Sequence, residues 1–147
     1  MSNINASIRT HISGVLRKDD TLVVFVDALP EHSILMSRLS ASQVEYIELH
    51  DEEGSYASGR LLRDSLKGEN VVWDTSKRQL LVIGDIQNIG VTHLCLGAVD
   101  AEMETFFYPI GDFMDFQTEL SIQRLVRAGA SPISLTHLVS ELSAVYK

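Results

Sequence analysis

Cysteine is almost missing from this chain: Cys95 is the single one in 147 residues. That excludes an internal disulfide and a cysteine-built metal cage. Cys95 stands in the apolar run His93-Leu-Cys-Leu96, where a thiol reads as a small buried hydrophobe and not as a nucleophile. Positive charge is also scarce. Twelve Lys and Arg stand against twenty Asp and Glu, for a net charge of −8. The basic residues are scattered, Lys77-Arg78 being the nearest to a cluster. Phosphate binding needs clustered cations, so direct nucleic-acid binding is not expected. No apolar run approaches the roughly 18–20 residues of a membrane span. The first residues, MSNINASIRTH, lack a basic stretch followed by an apolar one, so neither signal peptide nor membrane partner is expected and the cytoplasm is the default location.

What is present is ordinary globular material: 45% hydrophobic and 22% charged residues, enough for one domain with a sizeable core. No linker, repeat or low-complexity segment interrupts it. Ile4, Ile8, Ile12 and Val15 predict a helix over 3–17. Thr21-Leu-Val-Val-Phe-Val26 is short, continuously apolar and β-branched, as in a strand buried on both faces, and it ends at Asp27. Pro30 opens a helix reaching about Ala41. Residues 43–49 alternate and predict a strand near a sheet edge. A helix over 55–67 stops at Gly68, and Val71-Val-Trp73 is a short strand ending at Asp74.

The stretch 77–90 carries two patterns. Leu80-Leu-Val-Ile83 has strand propensity, while Leu80, Ile83, Ile86 and Ile89 also fit one helical face. Residues 92–99 read as an apolar strand ending at Asp100, and a parallel crossover into it from Asp74 needs a helix in between. The helix is therefore taken for 77–90. A strand at 80–84 would instead form an antiparallel hairpin with 92–99. Phe106-Phe-Tyr108 is a further strand, and 115–128 and 134–146 are helices separated by Gly129 and Pro132. Such alternation implies an α/β fold with a parallel sheet and helices on both faces.

Acids stand at several expected strand ends: Asp27, Asp51, Asp74 and Asp100. Ligands collect at the carboxyl ends of strands in open parallel sheets. These acids read either as a carboxylate cluster or as ordinary strand-to-loop and cap residues.

The segment Leu22-Val-Val-Phe-Val-Asp27-Ala-Leu-Pro30, with Phe107 through Leu120 and Ala128-Gly-Ala130, resembles the receiver domains of LuxR/NarL-type response regulators over about residues 20–130. The resemblance implies a flavodoxin-like, five-stranded parallel sheet of order 2-1-3-4-5. Helices at 1–19 and 131–147 are then additions to a receiver-like domain at 20–130. It also implies a degenerate site. Asp27 matches one acid of the metal-binding pair, but the second falls at Ala28. Asp74 matches the phosphoacceptor. The expected hydroxyl falls at Gly97, beside Ala98, and residues 100–122 contain no lysine. With both phosphoryl partners gone, phosphotransfer, metal and cofactor are not expected.

The implied function is that of a non-enzymatic pseudo-receiver of a transcription regulator. It would act by homodimerising, or through a protein partner or a helix-turn-helix following Lys147. The last helix lacks the Trp and Arg with which some relatives bind cyclic di-GMP. Its apolar stripe, Leu135, Leu138, Val139, Leu142 and Val145, is the expected dimer interface. Two other readings stay open. One is a small acidic interaction protein of α+β fold, such as an immunity protein, secretion chaperone or phage assembly subunit. The other is an enzyme using Asp27, Asp74 and His50 or His93.

Overall fold

The computed structural model describes residues 14–44, 46–49 and 77–143. The expected helix at 55–67, the strand at 71–73 and its Asp74, Asp51, His50 and Val145 lie outside the described residues, as do residues 3–13 of the first helix. Residues 15–17, expected in that helix, are irregular and lead into a single 3-10 turn at Lys18–Asp20.

Five parallel strands form one sheet, as the alternation implied, in the order β2-β1-β3-β4-β5 that the resemblance implied. They are β1 (Thr21–Val26), β2 (Tyr46–Leu49), β3 (Gln79–Asp85), β4 (Glu104–Ile110) and β5 (Ser131–Pro132). The helices are α1 (Ser33–Ala41), α2 (Ile89–Asp100), α3 (Phe116–Ala128) and α4 (Leu135–Ser143). Strand alternation divides the core between two faces. Leu22, Val24, Val26, Leu80, Val82 and Phe107 pack with α2 and α3 on one face. Val23, Phe25, Leu81, Ile83 and Phe106 pack with α1 and α4 on the other.

The order came out as expected, but from different segments. Residues 79–85 are the central strand β3, not a crossover helix, and pair in parallel with both β1 and β4. Residues 89–100 are the helix α2, not a strand. Its sequence is apolar on nearly every side because it lies between the sheet and α3, so it offers no amphipathic stripe to read. The antiparallel 80–84/92–99 hairpin is absent for the same reason. The sheet is also not complete at Gly129: β5 follows α3 and pairs with Phe106 and Phe107.

Local signals placed the helix ends well. Pro30 opens a 3-10 turn running directly into α1. Asp115 caps α3, its side chain accepting from Gln117 N–H at 2.9 Å. Gly129, at φ +112°, closes α3 in the left-handed conformation that glycine adopts without a Cβ clash.

The amino-terminal edge is tied together by one buried side chain. Gln79 is fully buried; its Oε1 accepts from Arg17 N–H at 2.7 Å, and its Nε2 donates to Val15 O at 2.7 Å and to Glu104 Oε1 at 3.0 Å. Leu16 N–H donates to Glu141 Oε1 on α4 at 2.8 Å. The segment before β1 is thereby fixed to the sheet and to the last helix.

Candidate functional site at the carboxyl edge of the sheet

β1 runs straight into Asp27, whose φ of +49° puts it in the left-handed region. Asp tolerates that conformation better than bulky residues do, and its N–H is still paired, donating to Leu49 O at 2.8 Å. Next to it β3 ends in Gly84-Asp85. A Cβ on Gly84 would come within 3.0 Å of Val26 O and 2.9 Å of Val91 Cγ2, so glycine lets α2 pack close to β1. Asp85 then turns the chain: its Oδ1 accepts from Gln87 N–H at 2.9 Å and its carbonyl from Asn88 N–H at 2.9 Å.

Asn88 joins the two strand ends. Its Oδ1 accepts from Gly90 N–H at 2.7 Å, capping α2, while its Nδ2 donates to Asp27 Oδ2 at 2.8 Å. The cap fixes which end of the amide faces Asp27. A carboxylate is thus held one side chain from the positive end of a helix. The N–H of Ile89, the first residue of α2, has no partner among the described residues. The β4–α3 connection joins the same array, for Gln87 Nε2 donates to Thr118 Oγ1 at 2.8 Å and to Asp115 Oδ2 at 3.1 Å. Among the described residues no group of three or more His, Cys, Asp or Glu could hold a metal ion.

Of the residues singled out from sequence, Asp27 lies at the carboxyl end of its strand as expected. Gly97 and Ala98 do not: both are on α2, Ala98 in the core, and Asp100 ends that helix instead of a strand. His93 is likewise helical, its Nδ1 buried without a partner among the described residues. Cys95 is fully buried, and burial pushes its thiol up to about 12. The stripe of α4 also divides. Leu138 and Leu142 are fully buried against their own chain and cannot meet a symmetry mate, while Leu135 is 44% exposed and Val139 half-buried. The reason is that α4 packs against α1 on the sheet face.

Asp85, Gln87, Asn88, Asp115 and Thr118 were missed. The signal for two of them was legible: Asp85 and Asn88 are turn and cap residues three apart between an apolar run and a helix. Drawing a helix through 77–90 erased it.

No known protein family and no curated protein matches the chain by sequence. Solved structures do match. YcaC from Escherichia coli, described as an octameric hydrolase of unknown specificity, superposes with a TM-score of 0.62 and 17% identity, covering 88% of this chain and 82% of that one. The chain has the fold of the YcaC proteins. YcaC from Pseudomonas aeruginosa, solved with hexane-2,5-diol and covalent acrylamide, gives 0.60 and 17%, covering 88% and 83%.

This likeness overturns the resemblance to response-regulator receivers, which rested on a strand-end acid and a helix pattern and on no diagnostic motif. The non-enzymatic regulator, the homodimer joined to a helix-turn-helix and the acidic interaction protein are set aside with it. YcaC from E. coli is a hydrolase and an octamer.

Proposed function

We propose that this chain is a hydrolase of small carbonyl compounds, amides foremost, working at the carboxyl edge of its sheet. The observation that carries the reading is the Asp27 carboxylate, held by Asn88 at the head of α2. Asp27 takes a proton from a water molecule as its oxygen attacks the carbonyl carbon. The oxyanion that develops accepts a hydrogen bond from Ile89 N–H, strengthened by the helix dipole. Collapse of the tetrahedral intermediate breaks the C–N bond, and the leaving amine takes the proton back from Asp27. The products are a carboxylic acid and an amine. Hydrolysis is also what is described for YcaC from E. coli, with its specificity unknown. The cytoplasmic location belongs to the same proposal; among the described residues no helix is long and apolar enough to cross a membrane.

The test is amine release from a panel of small amides, with esters as the more reactive control. Asp27→Asn should lower the rate by about 10²–10⁴-fold, the usual contribution of a general base. Ile89→Pro should lower it by about 10²-fold, as loss of one oxyanion donor does. Proline suits the first helical position, so that variant keeps the helix. Full activity in Asp27→Asn, or a folded wild-type chain that turns over none of the panel, overturns the proposal.

A further inference from the structure

A concavity lies on the sheet face where α1 and α4 converge over β4. It is a cleft of about 410 Å³, at the small end of ligand cavities, which run roughly 300–1,000 Å³. Leu35, Tyr108, Ile110 and Val139 supply its apolar walls. Two further apolar side chains line it and remain wet, Ile34 at 71% exposed and Leu135 at 44%.

His32 also lines this cleft although it is only 7% exposed. Its ring packs 5.9 Å from Phe25, and its Nδ1 accepts from Leu29 N–H at 2.9 Å. A ring nitrogen that accepts carries no proton, so in the neutral imidazole the proton sits on Nε2. That Nε2–H donates to nothing among the described residues, and it is not among the buried polar atoms sealed without a partner. A donor is therefore fixed in orientation, nine-tenths buried and unspent at an apolar cleft. Arg38, on the same cleft, makes no ion pair or side-chain hydrogen bond among the described residues. Glu31 is the one acid beside them among the described residues.

We infer that this cleft binds a small monocarboxylate with an apolar body. The carboxylate takes the His32 Nε2–H and pairs with the Arg38 guanidinium, a charge-assisted arrangement that desolvated walls strengthen. The body lies on Leu35, Tyr108, Ile110 and Val139 and covers the wet Ile34 and Leu135. Glu31 disfavours the anion and sets an upper limit on its affinity. The site does not depend on Asp27 or on any hydrolytic activity.

The experiment is a calorimetric or NMR titration of the full chain with 3-phenylpropanoate, its alcohol 3-phenylpropanol, and phenylalanine. The acid should bind at least tenfold more tightly than the alcohol. Arg38→Gln and His32→Asn should each weaken it about tenfold. Asparagine keeps an acceptor for Leu29 N–H while deleting Nε2. Glu31→Gln should tighten binding two- to threefold, and Val139→Trp, which fills the cleft, should abolish it. Arg38 is exposed, so its variant keeps the test decisive if His32→Asn fails to fold. Equal binding of acid and alcohol, indifference to Arg38→Gln, or no saturation by about 10 mM, weaker than the millimolar affinities of simple ligands, overturns the inference. So does tighter binding of phenylalanine that is lost in Glu31→Gln, which would mark an amino-acid site instead.

Discussion

Replacing Gln79 with leucine tests the account of the amino-terminal edge most directly. The side chain is fully buried and its amide is satisfied on both ends. Leucine has nearly the same volume, so no cavity opens, but Arg17 N–H and Val15 O lose their partners. Thr21 keeps one, its hydroxyl donating to Arg17 O at 2.6 Å. Leaving a buried backbone group unpaired costs about 1–3 kcal/mol. Both groups are only partly buried, so the pair should cost about 3 kcal/mol together. A domain of this size loses roughly 2–4 °C of Tm per kcal/mol, which predicts a fall of about 6–12 °C. Circular dichroism melting and urea titration measure it. Gln79→Glu should be worse still, because a second carboxylate would face Glu104 where the amide now donates at 3.0 Å. A Gln79→Leu protein that melts within about 2 °C of the wild type would refute the reasoning, since the lost bonds would then be made good by water.

Four further outcomes follow from burial and close packing. Acrylamide should leave Cys95 unmodified in the folded chain at pH 8 and alkylate it once urea unfolds the protein; rapid labelling of the native state would show the helix opening locally. The same thiol sets a pH trend. Its pKa is raised from 9.0 unfolded to about 12 folded, so its contribution is full below pH 9, where neither state ionises it. Between pH 9 and about 12 only the unfolded chain ionises the thiol, and stability should fall across that window, a loss that Cys95→Ala removes. Leu138→Glu with Leu142→Glu, which on a dimer interface would give a folded monomer, should instead unfold the chain, and Leu138→Ala alone should cost about 2–5 kcal/mol in urea denaturation. Gly84→Ala should destabilise by about 1–3 kcal/mol, because its Cβ meets the Val26 carbonyl, which cannot move aside; a stabilised Ala variant would show that α2 has slack against β1.

The sequence by itself determined the class of fold, since alternating apolar runs and helices imply a parallel sheet with helices on both faces. The strand order 2-1-3-4-5 came with the resemblance to receivers and holds without it, even though the third, fourth and fifth strands are other segments than expected. It also determined the first strand and its Asp27, the proline entry to α1, the glycine end of α3 and the inertness of Cys95, all of which depend on residues within a turn or two. Tertiary structure decided the rest. Residues 79–85 and 89–100 are both apolar on nearly every side, and periodicity carries no information where both faces are buried; only pairing with β1 and β4 makes the first a strand, and only the layer beneath α3 makes the second a helix. The same holds for the site. Asp27 was visible, but Asn88 became its partner only when β3 and β1 were laid side by side, bringing together two residues 61 apart in the chain. Leu138 and Leu142 looked like a surface for a second copy because a helix stripe records that it must be covered and not by what; α1 and the sheet of the same chain cover it.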